Sequence, residues 1–89
     1  MLRRKVTIVN KLGLHARAAA KLVQLAGGYE ADIRIQRGAN EANAKSIMGV
    51  MMLAAGRGAE LDLTIEGADE AAAAAAVERL IAERFGEDE

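Results

Sequence analysis

The sequence predicts an α+β fold: an open-faced β-sandwich with a four-stranded antiparallel sheet and three helices on one face, in the order βαββαβα. Two observations lead to this prediction. The segments with strand character alternate between apolar and polar residues, which is typical of a sheet with one solvated face and therefore of antiparallel pairing. Helical segments with an apolar stripe separate them, and such helices pack on one face of the sheet.

Four segments are predicted to be strands. Residues 2–9 alternate and end in a β-favouring run. Residues 32–37 alternate more cleanly, with both isoleucines on the inward side, and the turn at 38–40 leads into a short polar strand at 41–43. This pair indicates a hairpin. Residues 60–66 alternate again, with two leucines and an isoleucine inward.

Two shorter helices are predicted between these strands. Residues 16–26 have apolar residues at helical spacing, and the two glycines at 27–28 are a natural C-terminal stop. Residues 47–54 form a short apolar helix, with Ser46 before it as a good N-cap and Gly56 after it.

The longest predicted helix covers residues 70–84. The alanine run at 71–76 is the strongest helix-forming segment of the chain. Asp69 is its expected N-cap, and Glu70 suits the positive end of the helix dipole. We expect residues 87–89 to be a frayed acidic tail. The predicted buried stripe of this helix consists of Ala73, Ala76, Val77, Leu80 and Ile81.

Length and composition limit the function classes. The 89 residues suit one domain, 1–89. The lack of cysteine excludes disulfide scaffolds and thiol catalysis, and a lone histidine excludes most histidine-rich sites, so we expect no metal and no cofactor. A net charge of −1 with few aromatic residues argues against nucleic acid as a partner. We find no signal peptide and no transmembrane stretch, so we expect no membrane insertion and a cytoplasmic location.

The segment between the first strand and the first helix carries the lone histidine. His15 falls at the expected N-cap, where the backbone N–H groups of Ala16 and Arg17 are free and form an anion site. The Arg17 guanidinium matches phosphate oxygens, although a positive charge is locally unfavourable in a first turn. A neutral imidazole can take a phosphoryl group, and both Arg17 and the helix N-terminus oppose its protonation. His15 is therefore a candidate phosphoryl acceptor that we expect to be exposed; a polar helix cap is the alternative.

A second unusual stretch surrounds Ser46. Its presence is explained by capping alone, or by a phosphorylation site, which would place about −1.5 to −2 charges at a helix N-terminus. In the short helix that follows, Val50 and Leu53 can face the sheet. The apolar residues on its other side are either gap-filling core residues or an exposed surface for docking partners. They are Ile47, Met48 and Met51, with Gly49 among them.

Two motifs together, GLHARAAAKLV at 13–23 and NAKSIMGVMML at 43–53, resemble the HPr family of phosphocarriers in the bacterial phosphoenolpyruvate-dependent phosphotransferase system. The resemblance extends over essentially the whole chain, including its length, its element order and the region at 84–86. It implies an open-faced β-sandwich and a carrier that is not a turnover enzyme.

The resemblance also implies roles for individual residues. His15 would accept phosphate on Nδ1 from phosphorylated enzyme I and pass it to enzyme IIA proteins or domains, and Arg17 would steady it. Ser46 would be the regulatory serine that the ATP-dependent HPr kinase/phosphorylase phosphorylates. A monomer is expected. The residues that would contact the phosphate through their backbone are Ala16 and Arg17, and those that would dock partners are Ile47, Met48, Gly49 and Met51.

The sequence departs from the family pattern at a few positions. Ala18 stands where many relatives have proline, Ala54 where glycine is common, and Leu12 where some relatives are polar. None of these removes a group that phosphotransfer needs. Two other functions stay open: a regulator that acts only through Ser46, although such relatives lack the active histidine, and a binding module with neither phosphosite. The choice between sugar transport and a nitrogen-related route also stays open.

Overall fold

The computed structural model describes residues 1–89 and confirms the predicted order of elements. A single-turn 3₁₀ helix at Arg84–Gly86 follows the last α-helix. The strands are β1 (Leu2–Thr7), β2 (Asp32–Arg37), β3 (Asn40–Asn43) and β4 (Glu60–Glu66), and the helices are α1 (Ala16–Gly27), α2 (Ile47–Met52) and α3 (Glu70–Ala82).

The four strands form one antiparallel sheet in the order β1-β4-β2-β3. Its inner face is apolar: Ile33 lies opposite Ile65, and Ile35 lies opposite Leu63. These four side chains are fully buried, whereas the residues that alternate with them in β2 are exposed. The three helices therefore cover one face of the sheet, and the fold class predicted from the alternation is confirmed.

The end of α3 differs from the prediction. The helix ends at Ala82 and not at 84, because Arg84 and Phe85 take positive φ angles of 58° and 55°, which an α-helix cannot contain. This turn carries the Phe85 side chain into the core, where it is completely buried. The buried stripe also shifts slightly: Ala74 is buried, whereas Ala76 and Leu80, which we predicted to be buried, are half-buried.

Asp69 precedes α3 as predicted, but its side chain does not cap the helix. Its carboxylate instead accepts hydrogen bonds from the backbone N–H groups of Glu30 and Ala31, each at 2.8 Å. The bond from Glu30, and then that from Ala31, holds the pKa of Asp69 below its usual value. Asp69 is thus the N-cap residue of α3, as predicted, but its side chain makes no capping bond because a loop distant in sequence offers two free donors.

The prediction of a frayed acidic tail was also wrong. Residues 87–89, here called the acidic segment, return to the loop before α1. The backbone N–H of Lys11 donates to the carbonyl of Glu89 at 3.0 Å, and the Glu87 side chain is only 17% exposed. The acidic segment is thus part of the folded structure. Separately, none of the helices combines the length and apolar character that a bilayer crossing demands.

Candidate functional site

The loop that leads to His15 is fixed by a close backbone approach. Gly13 has a φ of +66°, and a Cβ built on it would lie 2.5 Å from the carbonyl oxygen of Ala55 and 2.7 Å from Cα of Gly56. The next residue, Leu14, donates its N–H to the same Ala55 carbonyl at 2.8 Å. Only glycine fits at this position. The loop therefore packs closely against residues 55–56, and this contact fixes the position of His15 at the start of α1.

His15 is the N-cap of α1, as predicted. Its backbone is extended, and its carbonyl accepts the first helical hydrogen bond, from Ala19 at 2.8 Å. The ring nitrogen Nδ1 accepts a hydrogen bond from the backbone N–H of Arg17 at 3.3 Å. A backbone N–H can only donate, so Nδ1 is unprotonated in this arrangement. Its lone pair points at the N-terminus of α1.

The other ring nitrogen faces a carboxylate that the sequence did not predict. Nε2 of His15 is hydrogen-bonded to Oε2 of Glu87. The second oxygen of that carboxylate accepts a bond of 2.9 Å from Nδ2 of Asn10, which also donates to the carbonyl of Gly13 at 2.9 Å. The hydrogen bond from Asn10, followed by that from His15, holds the pKa of Glu87 below its usual value. Glu87 is therefore ionised at neutral pH.

His15 is less accessible than predicted. Its side chain is 29% exposed, because the acidic segment lies along one edge of the ring. The electrostatics also differ from the prediction. The prediction named only the positive groups, Arg17 and the helix N-terminus, whereas the structure also places the carboxylate of Glu87 against the ring. The site thus combines a positive end, on the Nδ1 side, with a negative end, on the Nε2 side.

The backbone N–H of Arg17 lies on the Nδ1 side of the ring, and Ala16 precedes it in the first turn of α1. Both are exposed residues of the first turn of α1, and their N–H groups precede the first i to i−4 hydrogen bond of the helix. The Arg17 side chain borders an open cleft of about 490 Å³. The other residues that line this cleft are Lys11, Leu12, Glu87, Asp88 and Glu89. The first turn thus presents backbone donors and a guanidinium to an anion that enters from solvent.

Ser46 occupies the same position in α2 that His15 occupies in α1. Its side chain is exposed, and Oγ accepts a hydrogen bond from the N–H of Gly49 at 3.3 Å. Its carbonyl accepts the first helical bond, from Val50 at 3.0 Å. The predicted N-cap is confirmed, and the hydroxyl remains open to solvent.

The apolar residues of α2 divide between core and surface. Val50 and Leu53 are buried, as predicted, whereas Met48 is 67% exposed and Ile47 and Met51 are about 40% exposed. The sequence analysis missed two further exposed apolar side chains. These are Met52, on the same helix, and Leu12, in the loop before His15. Because α1 and α2 pack against each other, the exposed methionines lie on the helix next to the one that His15 begins.

Comparison with known proteins agrees with this site. Residues 2–83 match the family model described as "PTS HPr component phosphorylation site". The phosphocarrier protein HPr of Cupriavidus necator is 56% identical over 89 residues, which is the full length of both chains. The chain belongs to the HPr family. It is a phosphocarrier of the phosphotransferase system, and the family implies partners such as enzyme I and enzyme IIA.

Solved HPr structures have the same fold. A crystal structure of HPr-C-His from Thermoanaerobacter tengcongensis superimposes with a TM-score of 0.96 at 42% identity and covers all of both chains. A second structure, of an HPr dimer from the same organism, superimposes with a TM-score of 0.79 and covers 98% of this chain and all of that one. The sequence analysis missed Asn10, which lies just before His15's motif, and Glu87, which lies 72 positions after His15. Only burial of the asparagine, which a sequence does not display, would have drawn attention to them.

Proposed function

We propose that His15 carries the phosphoryl group on Nδ1, that phosphorylated enzyme I supplies it, and that an enzyme IIA protein or domain receives it. The observation that carries this proposal is the orientation of the ring: Nδ1 carries no proton, and its lone pair is directed at the N-terminus of α1, where it accepts the N–H of Arg17. In that position a phosphoryl group on Nδ1 meets the N–H groups of Ala16 and Arg17 and the Arg17 guanidinium.

The transfer step balances without an external acid or base. The Nδ1 lone pair forms a bond to phosphorus while the bond between phosphorus and the donor's leaving atom breaks, and its electron pair stays with the donor. Nε2 keeps its proton, so the ring takes up one positive charge. Onward transfer is the same step in reverse, with a nucleophile of the acceptor protein attacking phosphorus. The protein is thus a carrier and not a turnover enzyme, because it returns to its starting form only through a second protein.

Labelling tests this proposal. The protein is incubated with enzyme I and radiolabelled phosphoenolpyruvate, and the linkage is then exposed to acid and to base. We expect one labelled site that is acid-labile and base-stable, as a phosphohistidine is. His15→Ala is expected to take up no label while its far-UV circular dichroism stays unchanged. A label that survives acid, or full labelling of His15→Ala, would contradict the assignment.

We also propose that Ser46 is a regulatory phosphosite for the HPr kinase/phosphorylase. Its exposed hydroxyl at the start of α2 supports this, because a phosphate at a helix N-terminus is tolerated by the fold. Incubation with ATP and that kinase is expected to label the wild-type protein with an acid-stable phosphate and to leave Ser46→Ala unlabelled.

The partner surface is proposed to be the apolar side of α2. Its exposed side chains are flexible and suit several partners that bind in turn. We propose that the chain acts as a cytoplasmic monomer, because contacts within one chain are sufficient to orient His15. Sedimentation analysis at working concentration is expected to give the mass of one chain. The residues of the proposed surface are Ile47, Met48, Gly49 and Met51.

A further inference from the structure

The proton on the imidazole of His15 is controlled from both sides of the ring. The N–H of Arg17 points at Nδ1, and the ionised carboxylate of Glu87 contacts Nε2. If the proton moved to Nδ1, two donors would face each other on one side, and a lone pair would face a carboxylate on the other. Both contacts would be lost. The arrangement therefore favours the tautomer whose lone pair lies on Nδ1.

We propose that Glu87 is a positioning residue that holds the proton of His15 on Nε2 and so keeps Nδ1 free for the phosphoryl group. This inference rests on the proposed function of His15. It follows the general logic of a carboxylate that orients a histidine from the far side of its ring. The same carboxylate faces the positive charge that the ring gains when phosphorus binds Nδ1, so it stabilises the phosphorylated state.

Glu87 is itself held in place by a buried group. Asn10 is fully buried, and its Nδ2 joins the carbonyl of Gly13 to Oε1 of Glu87. Asn10 therefore ties the carboxylate to the loop that Gly13 presses against residues 55–56. A buried amide, a carboxylate and an imidazole follow one another in a chain of hydrogen bonds that leaves Glu87 little freedom to rotate.

The backbone on each side of Glu87 is also anchored. Lys21, on α1, donates from Nζ to the carbonyl of Phe85 at 2.6 Å, and the Phe85 ring lies in the core. On the other side, the carbonyl of Glu89 accepts from Lys11 at 3.0 Å. An acidic side chain that merely neutralised nearby cations would need no such anchoring, whereas a positioning residue does.

A competing role for the acidic segment predicts the opposite effect on the rate of transfer. The acidic segment could act as a cover that shields His15 and slows transfer. In that case removal of the carboxylate would expose the ring and speed the reaction. A positioning role requires the reverse, because a misplaced proton removes the lone pair from the reacting nitrogen.

The matched variants are Glu87→Gln and Glu89→Gln. In Glu87→Gln the side-chain oxygen still accepts from Asn10, but an amide N–H now faces Nε2 and favours the wrong tautomer. Glu89→Gln removes the same charge from the acidic segment, where the carboxylate lies 3.4 Å from Lys11 and makes no contact with His15.

The first measurement is the tautomer of unphosphorylated His15, read from the ¹⁵N chemical shifts of its ring nitrogens above pH 7. We expect Nε2–H to predominate in the wild type and in Glu89→Gln. The Nε2–H population is expected to fall in Glu87→Gln, with a gain of Nδ1–H. An unchanged tautomer in Glu87→Gln would overturn the proposal.

The second measurement is the rate of phosphoryl transfer from phosphorylated enzyme I. For Glu87→Gln we expect a loss of about tenfold to a hundredfold in rate, the range that follows removal of a group that orients a histidine. For Glu89→Gln, which removes a negative charge from the same cleft without touching His15, we expect no loss of rate. A faster Glu87→Gln would identify the cover role and overturn ours. If even the wild type takes up no phosphate, the proposed carrier function fails, and the tautomer measurement alone decides the role of Glu87.

Discussion

The first turns of α1 and α2 are built alike but supported differently. Each helix starts with a side chain that accepts one backbone N–H bond of 3.3 Å, from Arg17 to His15 and from Gly49 to Ser46. His15 then gains a second partner from a residue 72 positions away, whereas the Ser46 hydroxyl has only its neighbours. The proposed phosphoryl acceptor, His15, is thus held in one orientation by residues from both ends of the chain. The hydroxyl of Ser46, the proposed regulatory phosphosite, is held only by the first turn of its own helix.

Helix α1 is also more deeply buried than α2 and has more contacts with the rest of the fold. Four residues of α1 are buried, and its start is joined to residues 55–56 and to the acidic segment. In α2 only Val50 is buried, and much of the helix surface is apolar and open. Substitutions around His15 are therefore expected to destabilise the fold more than substitutions around Ser46. The following substitutions test this difference.

The largest effect is expected from Gly13→Ala. The new Cβ would strike two backbone groups at a φ of +66°, so neither neighbour can yield by rotating a side chain. We expect the free energy of unfolding to fall by about 2–5 kcal/mol, from the left-handed backbone and from overpacking. Chemical denaturation measures it.

Gly38→Ala is the matched control. Gly38 has nearly the same φ, +58°, but nothing lies within 4 Å of its Cβ position. Its cost is expected to be about 1 kcal/mol, from the backbone alone. Equal losses in the two variants would show that the loop before His15 is not clamped, and the contrast between the two helix starts would fail.

An intermediate effect is expected from Ser46→Asp. Aspartate caps a helix as well as serine does, so the fold should keep its stability, but a charge then lies beside the exposed side chains of Ile47 and Met48. We expect transfer from enzyme I to slow about tenfold, or about 1.4 kcal/mol of binding free energy. Stopped-flow transfer assays measure this.

Ser46→Asn separates charge from shape in that assay. Asparagine is neutral and is an equally good N-cap, so its transfer rate is expected to match the wild type. If Ser46→Asp is as fast as Ser46→Asn, the start of α2 is not part of the surface that enzyme I contacts.

A smaller effect is expected at the other end of α2. Ala54, two residues beyond the end of α2, has a φ of +52°, a conformation that glycine adopts without strain. Ala54→Gly is expected to raise the free energy of unfolding by about 1 kcal/mol. Ala55→Gly, at the buried neighbour without a positive φ, is expected to lower it. Thermal denaturation distinguishes the two, and a loss of stability in Ala54→Gly would contradict the strain.

The smallest effect is confined to the acidic segment. Hydrogen bonds from Asn10 and then His15 lower the pKa of Glu87, so its contacts stabilise the fold above the usual pKa of glutamate, 4.5. They are lost as the pH falls through the lowered value. We expect the Asn10 side-chain amide resonances to move in that range while the rest of the spectrum stays folded. In Glu87→Gln these resonances should not titrate. If they shift over the same pH range in that variant, another group causes the shift.

Features that depend on residues close together in sequence could be predicted, and contacts between residues far apart in sequence could not. The alternation in β2 and β4 and the N-caps of α1 and α2 depend on neighbouring residues, and the sequence predicted them. Asp69 and Glu87 follow no such rule. Each binds a loop far away along the chain, and a carboxylate beside other polar residues has the same appearance in a sequence whether it is solvated or buried.

The strand order and the contact between His15 and Glu87 also constrain the order of events during synthesis. β1 has no partner until β4 has been made, because it pairs with no other strand. Glu87 follows His15 by 72 positions, which take about 4–14 s to translate at about 5–20 residues per second. Throughout that time a nascent chain holds the histidine without its carboxylate. Full orientation of His15 therefore requires that residue 87 has been synthesised and has left the ribosome.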